Sequence, residues 1–454
     1  MSVLGRDALL GPLQEALRGA SADEVELWAH RRRAAITRYS HSSIHQNALS
    51  DETHVHASAV VGRAVGVSSA NGLDPASLRA LVADAASLAR LQPPNDEWPG
   101  LAGPSAPAEP HAYDEATARL DAGEQAAAIG TIADAATGRG VRAAGTHQLE
   151  LHEDAVVNSG GVALYAPSTL AYVRALVQSD VGSGYADDLS FRAGDLDPQA
   201  VAGRAIAKCL LDRDRRQLEP GTYEAVFEEL AVAEILRVLS LTGLGGQAVR
   251  EGRSFMSGRL GEPVTGPAFT LHDDALDPRQ LGRAFDVEGT PKRRVTLIER
   301  GIARSPVYDR TTARALGTSS TGHAADRSRY PPGGHAANLV MAGGSASCEE
   351  LIASVKRGIL ITRFHYTNIP DPKTATMTGT TRDGTFLIED GRIVGALANV
   401  RYTMSSLELF AGIDLLGPQR LVRDWWSTNG MGSIVCLAPA IKVSRAVITG
   451  SSPS

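Results

Sequence analysis

Histidine is the residue of this sequence with the most evident capacity for chemistry, because its imidazole binds metals and exchanges protons near neutral pH. The chain has 12 histidines. Two of them four or five positions apart on one helix would indicate a metal site, and no pair on a predicted helix has that spacing. His152-Glu153 begins like a zinc-peptidase motif, but Val156 and Val157 stand where the second histidine would be needed. No complete helical metal motif results.

A second group of histidines follows the alternation of a strand. His54 and His56 lie two positions apart, so both imidazoles point to one face, and His41 and His45 lie on the presumed partner strand. A metal cluster is one interpretation of this group. A polar sheet face in contact with water shows the same pattern, and we interpret the four imidazoles in that way.

The other short motifs are incomplete. Residues 243–248 match the dinucleotide pattern G-x-G-x-x-A, but that motif needs a preceding strand, and here a helical run at 229–241 precedes it. The three cysteines, Cys209, Cys348 and Cys436, are too few for a disulfide framework and form no C-x-x-C pair. They indicate a reducing compartment, so we expect a cytoplasmic protein.

Composition counts against two further classes of function. The 454 residues include 45 Lys and Arg against 51 Asp and Glu, which gives a formal net charge of −6. Sequence-independent nucleic-acid binding depends on several Lys or Arg contacts with phosphates, so we do not expect nucleic acid as a partner. No stretch approaches the roughly 18 apolar residues of a membrane-spanning helix, so we expect no membrane association.

The elements that must position these residues divide into two halves. The first half alternates helical and strand-like patterns, and the second half is rich in short strands and Gly/Asp turns, with one helix beginning at the capping box Ser347-Cys348-Glu349-Glu350. We predict an α+β protein with an α/β N-terminal domain, residues 1–212, and a β-rich C-terminal domain, residues 220–454. The helical patterns of the first half cover residues 4–17, 74–91, 114–137 and 197–212, and the strand patterns cover residues 24–38, 54–67, 147–158 and 162–178.

Several separate blocks follow one another through the second half in a recognisable order. They occupy residues 252–262, 285–291, 297–301, 320–324, 338–339, 384–391 and 439–450. Together with Ile44-His45-Gln46 and the N-terminal helix, these blocks strongly resemble the TldD/PmbA family over nearly the whole chain. The resemblance implies a TldD/PmbA-like fold.

The resemblance also implies where a metal would be bound. TldD-like members carry a His-Glu-x-x-x-His helix that, with a downstream cysteine, holds the metal of a peptidase, whereas PmbA/TldE-like members lack it. In this chain Arg237, Val238 and Thr242 stand at the motif positions. A guanidinium does not bind a cation, and valine cannot take a proton from water. The family's cysteine falls near residues 429–432, before Cys436. We therefore predict no metal or cofactor in this chain, with zinc in a TldD-like partner.

The function implied by the resemblance is that of a PmbA/TldE-like subunit in a heterodimeric metallopeptidase. Such a chain is non-catalytic, pairs with a TldD-like metallopeptidase subunit, and helps to enclose the cleft that processes unfolded peptides. Its candidate substrate-binding side chains are His365, Tyr366 and Asn368, followed by residues 376–380, because imidazole, aromatic and amide groups together suit peptide recognition. An ordinary strand with a polar outer face is the alternative for this segment.

Two other functions stay open. One is an independent hydrolase, or a protein that tailors a peptide-like metabolite, with His365 and Tyr366 as its reactive groups. The other is a regulatory protein, which the family's older description as a modulator of DNA gyrase implies. The acidic net charge counts against this last function.

Overall fold

Two large β-sheets dominate the computed structural model, which describes residues 2–119, 121–326, 330, 332–424 and 434–451. Among the described residues, no helix is both long enough and apolar enough to cross a bilayer. The first part of the chain forms α1 (Arg6–Arg18), β1 (Glu24–Ser40), β2 (Ser43–Val61), β3 (Ala64–Asn71), α2 (Pro75–Ala89), α3 (Glu115–Arg119), α4 (Ala122–Thr137), β4 (Arg142–Asn158), β5 (Ala163–Gln178), β6 (Ser183–Ser190), a 3-10 turn (Ala193–Asp195) and α5 (Pro198–Leu211).

The first sheet has six strands in the order β3-β2-β1-β4-β5-β6, and every neighbouring pair is antiparallel. Successive side chains of a strand point to opposite faces, so each strand contributes to both. One face is apolar and packs against helices. Helices α1 and α2 cover Leu27 and Val55, and helices α4 and α5 cover Val173 and Val177.

The opposite face of the first sheet is polar and faces the second part of the chain. The strand register places the polar side chains in rows. This face therefore forms one wall of a cavity between the two parts. It carries Trp28, His30 and Arg32 of β1, Glu52, His54 and His56 of β2, and Glu150, His152 and Asp154 of β4.

The second part of the chain forms an eleven-stranded mixed sheet around helix α6. The main strand order is β10-β9-β8-β11-β17-β15-β13-β12-β7, with β14 paired to β13 and β16 paired to β17. Because β7 also pairs with β17, five of the strands close into a ring. The elements are β7 (Gly221–Phe227), α6 (Glu229–Gly243), α7 (Gly246–Arg250), β8 (Leu271–Asp273), β9 (Val295–Glu299), β10 (Ile302–Ala303), α8 (Arg310–Ala315), β11 (Asn338–Met341), α9 (Cys348–Ala353), β12 (Arg357–Asp371), β13 (Thr376–Glu389), β14 (Arg392–Ala396), β15 (Val400–Ser405), α10 (Ser406–Ala411), β16 (Ile413–Arg423) and β17 (Val435–Ser451).

The predicted α+β class is confirmed, with an antiparallel first sheet and a larger mixed second sheet. The helix predicted at 229–241 is α6, and the predicted capping box is formed. The Ser347 side chain accepts from the Glu350 N–H, and the Glu350 carboxylate accepts from the Ser347 N–H. The predicted division at 212–220 lies in the connection between α5 and β7.

Two strand predictions in the first sheet are wrong. The segment 54–67 is not one strand, because a turn at Gly62, with φ +67°, separates β2 from β3. His41 lies in the turn between β1 and β2, and His45 lies on β2, the strand that also carries His54. The first half of β2 is exposed on both faces, so its sequence has no apolar alternation that would have revealed the strand.

Candidate functional site

A cavity of about 790 Å³ lies between the polar face of the first sheet and the second part of the chain. Strands β1 to β5 form one wall. The other wall comes from residues 281–292, 323–326, 330 and 335–338, the last residue of β16 and the first of β17. We call this space the interdomain cavity. Among the described residues, six Arg or Lys, six His and four Asp or Glu side chains line it, so cationic groups exceed carboxylates.

Asp154 is the centre of the polar network where β1, β4 and the opposite wall meet. Its carboxylate accepts hydrogen bonds from Trp28 Nε1 at 3.1 Å and His30 Nδ1 at 3.0 Å, and it forms an ion pair with Arg283. Burial alone would raise its pKa, but the Arg283 and His30 side chains hold the pKa of Asp154 well below the usual range. Asp154 is therefore an anion that joins the first sheet to the second part of the chain.

A second carboxylate–imidazole pair lies beside the first on β4. Glu150 accepts two hydrogen bonds from Arg32, at 3.0 and 2.7 Å, and one from His152 Nε2 at 2.7 Å. Burial opposes ionisation, but His152 and Arg32 hold the pKa of Glu150 well below its ordinary value. The remaining nitrogen of His152, Nδ1, lies 3.5 Å from Nε2 of His30.

The contact between these two imidazoles determines what the site can do chemically. His30 donates Nδ1–H to Asp154 and His152 donates Nε2–H to Glu150, so the facing nitrogens are both acceptors in the neutral rings. One added proton would be shared between them. Burial lowers the pKa of His30, while Asp154 opposes that shift. The pair is suited to accepting and returning a proton, which is the task of a general acid and base.

The opposite wall contains a buried imidazole and a half-buried amine. His323 Nε2 donates to Asp273 at 2.8 Å, and His323 Nδ1 lies 2.8 Å from the Thr321 carbonyl oxygen. Burial would raise the pKa of Asp273, but His323 holds that pKa at about 2. Lys292 Nζ donates to Asn338 Oδ1 at 3.4 Å, and burial lowers the pKa of Lys292.

Helix α6 carries the positions that the sequence assigns to a replaced metal motif. Arg237 lies 3.4 Å from Glu234 and 3.4 Å from Asp424. Val238 is fully buried, and Thr242 Oγ1 donates to the Val238 carbonyl at 2.7 Å. Burial and the nearby Asp424 raise the pKa of Glu234 to about 7. A guanidinium, an aliphatic side chain and an occupied hydroxyl do not fit a divalent metal.

Outside these positions, the described ranges offer no alternative metal site. No three His, Cys, Asp or Glu side chains of that part of the chain are grouped so that they could hold a metal ion. The predicted position of the family's cysteine, at 429–432, lies outside the described residues. Cys436 is fully buried on β17, and burial raises the pKa of its thiol well above the ordinary value. A protonated thiol is a poor metal ligand.

The predicted peptide-binding side chains lie on the β12–β13 hairpin and do not line the interdomain cavity. His365 Nε2 accepts from Arg382 at 2.8 Å, and burial together with that arginine lowers the pKa of His365 to about 4. Tyr366 is 60% exposed, with φ +53°, and its carbonyl accepts from Asn368 Nδ2 at 2.9 Å. Peptide binding by these residues stays a prediction.

Comparison with known proteins gives this architecture a family. Residues 220–450, just over half of the chain, match the family model described as the PmbA/TldA metallopeptidase C-terminal domain. The chain belongs to the TldD/PmbA family. The match covers the eleven-stranded sheet, helix α6 and the second wall of the interdomain cavity.

Curated relatives of this TldD/PmbA chain include metalloproteases of the TldD type. A TldD homologue of Haemophilus influenzae is 28% identical over 239 residues, which are 52% of this chain and 49% of the relative. A TldD homologue of Buchnera aphidicola is 29% identical over 216 residues, which are 47% of this chain and 44% of the relative. The chain spans about half the length of these curated relatives.

Solved structures match over nearly the entire chain. TldE from Thermococcus kodakarensis has a TM-score of 0.86 at 20% identity and covers 98% of this chain and 99% of its own. A protein from Bacteroides thetaiotaomicron, described as a proposed modulator of DNA gyrase, has a TM-score of 0.82 at 19% identity and covers 99% of this chain and 100% of its own. The TldD/PmbA-like fold expected from the sequence is confirmed.

The sequence pattern did not reveal the main polar network of the cavity. His30, Glu150 and Asp154 were missed, and His152 was considered only as an interrupted metal motif. Their period-two spacing, with alternate polar residues on β1 and on β4, was an available signal. Their proximity could not be inferred from this spacing, because β1 and β4 are distant in sequence. Arg32 and Glu150, for example, are separated by 118 positions.

Proposed function

We propose that this chain is a TldE-like subunit that has no catalytic metal of its own and works with a TldD-like metallopeptidase on unfolded peptides. The observation that carries the proposal is the position of Arg237 between Glu234 and Asp424. On the family resemblance, Arg237 stands at a position of the metal motif of the catalytic members, and a fixed positive charge there would repel a metal ion. In this proposal the partner supplies the zinc. Similarity to TldE in structure and to TldD-type metalloproteases in sequence supports the assignment.

We assign substrate contact to the interdomain cavity. Its volume of about 790 Å³ is within the range of roughly 300–1,000 Å³ that is typical of ligand sites. Both parts of the chain contribute polar groups, so a peptide in this space would contact both. The β12–β13 hairpin, with His365, exposed Tyr366 and Asn368, is a second candidate surface for the peptide outside the cavity.

The test of this function is reconstitution. The purified chain is mixed with a TldD-like subunit that has an intact His-Glu-x-x-x-His motif, and cleavage of an unfolded peptide is measured together with bound zinc. We expect neither activity nor stoichiometric zinc for this chain alone, and cleavage by the mixture. In the control, the motif glutamate of the partner is replaced by glutamine; the complex still forms but cleavage is lost. Zinc-dependent cleavage by this chain alone would contradict the proposal.

An independent hydrolase is a second candidate, and one observation favours it. The pairs Asp154–His30 and Glu150–His152 place two facing imidazoles in the cavity, a group suited to proton transfer. If this chain alone hydrolyses peptides or esters, His152→Gln is expected to lower kcat by about 100-fold or more. The matched control is His45→Gln at an exposed position on β2. Equal loss in both variants, or no loss in either, would remove this candidate.

A regulatory role of the gyrase-modulator type has no comparable support. That description belongs to relatives of similar fold at 18% and 19% identity. The formal net charge of −6 does not favour binding to DNA.

A further inference from the structure

Two cations on the second wall of the interdomain cavity, Lys292 and Arg423, have no carboxylate partner among the residues that the structure describes. Lys292 Nζ donates to Asn338 Oδ1 at 3.4 Å, and Arg423 Nη2 donates to Gln148 Oε1 at 3.2 Å. Arg423 is only 6% exposed. Buried charges are normally paired with opposite charges, because removing an ion from water is costly. Arg283 of the same wall differs, since it is paired with Asp154.

Two carboxylates whose negative charges act on Lys292, Asp273 and Asp286, already accept hydrogen bonds from other groups. Asp273 accepts from His323 and from the Asn338 N–H. Asp286 accepts from the backbone N–H groups of residues 288, 290 and 324, and burial raises its pKa. Neither carboxylate makes direct contact with the ammonium group, so Lys292 remains able to donate to a ligand.

Strand pairing places Arg423, Val435 and Asn338 side by side on three neighbouring strands, and we call these three residues the row. Arg423 of β16 pairs with Val435 of β17, and Val435 pairs with Asn338 of β11. Neighbouring strands lie about 4.8 Å apart, so the backbones of Arg423 and Asn338 are separated by roughly 10 Å. Lys292 contacts the Asn338 end of the row. Long side chains at the two ends can therefore approach one ligand above Val435.

The surface between the two cations is apolar. Val435 packs with Leu170 and Leu281 in one cluster, and all three line the cavity. Two nitrogens of the second wall also have no hydrogen-bond partner within the described part of the chain. They are Arg423 Nε and Nε2 of His335, a cavity residue that is 8% exposed. An acceptor group on a ligand would satisfy donors that the protein leaves unused.

We propose that this row binds the carboxylate of a ligand that carries an aliphatic group beside that carboxylate, as at the C-terminus of a peptide ending in leucine or valine. Lys292 and Arg423 donate to the carboxylate oxygens, and the apolar cluster around Val435 contacts the aliphatic group. The peptide nature of the ligand rests on the proposed function. The carboxylate and the aliphatic group rest on the cavity alone.

The test is calorimetric titration of the purified chain with three probes. They are a short peptide ending in leucine with a free carboxylate, the same peptide with an amidated C-terminus, and 4-methylpentanoate. We expect the free acid to bind at least about tenfold more tightly than the amide, since hydrogen bonds to charged groups are the stronger ones. Lys292→Met and Arg423→Met are expected to abolish this preference. Arg79→Met, an exposed position on α2, should retain it.

The outcomes separate this inference from the proposed function. Equal binding of the acid and the amide by the unmodified chain would overturn the carboxylate site, whether or not the variants fold. Retention of the preference in folded Lys292→Met and Arg423→Met would overturn it as well. Binding of 4-methylpentanoate without either peptide would support the carboxylate site and reject the peptide as its ligand. Reconstituted cleavage with no acid preference would keep the proposed function and reject this site.

Discussion

Replacing Arg237 with methionine is expected to lower the free energy of unfolding by about 3–5 kcal/mol, the usual cost of breaking a buried ion pair from one side. The Arg237 side chain is 11% exposed, and its partners Glu234 and Asp424 are 4% and 0% exposed. Methionine keeps the length of the stem but removes the positive charge that faces the two acids in these contacts. Urea denaturation followed by circular dichroism near pH 7 measures the loss.

The pH dependence of this loss identifies its cause. Burial and Asp424 raise the pKa of Glu234 to about 7, so the folded chain holds a proton that the unfolded chain releases above about pH 4.3. The contribution of Glu234 to stability is therefore full below that pH and is lost as the pH rises toward 7. Removing Arg237 raises the pKa further, so the loss should be smaller near pH 5 than near pH 7.

A matched control separates the buried contact from a general effect of charge. Arg79→Met removes the same charge from α2, where Arg79 lies 3.5 Å from Glu15 of α1 and both side chains are more than half exposed. Exposed pairs contribute about 0–1 kcal/mol, so this variant should remain close to the unmodified chain. A loss in Arg237→Met no larger than in the control, or one independent of pH, would show that the guanidinium does not neutralise the buried acids.

Helix α6 shows how far the sequence could predict the site. Its apolar residues Leu230, Ala233, Leu236 and Leu239 recur at helical spacing, and a helix buried on nearly all sides forms there. The replacement of the metal motif at positions 237, 238 and 242 is implied by the family resemblance and stays a prediction. The partner Asp424 was not predictable, because it comes from the end of β16, far along the chain.

The interdomain cavity was beyond the reach of local patterns for a related reason. The wall formed by the first sheet is encoded as an ordinary polar alternation, which predicts a sheet face in water. The chain turns that face into a cavity wall by placing residues 281–292, 323–326 and 335–338 opposite to it. Burial then gives the same side chains shifted pKa values and paired charges, neither of which follows from their spacing.

Replacing Asp154 with asparagine is expected to destabilise the chain by about 3–5 kcal/mol, because the change breaks a buried charge pair while keeping the size of the side chain. The carboxylate is 1% exposed, accepts hydrogen bonds from Trp28 and His30, and forms an ion pair with Arg283. An amide offers one oxygen for these donors, and its NH₂ group opposes one of them. Arg283 would remain in the cavity without its anion. Urea denaturation near pH 7 measures the effect.

The same variant has a distinct signature in acid. Although burial opposes ionisation, Arg283 and His30 hold the pKa of Asp154 below its unfolded value of about 3.9, so its contribution to stability is complete above that pH and declines as the pH falls further. Below about pH 4, the free energy of unfolding of Asp154→Asn should therefore decline less with falling pH than that of the unmodified chain. Asp84→Asn, on the exposed side of α2, should change neither stability nor its acid dependence. If the two variants behave alike, Asp154 does not join the two walls of the cavity as an anion. In that case the contact between Asp154 and His30 cannot position the His30 and His152 imidazoles for proton transfer.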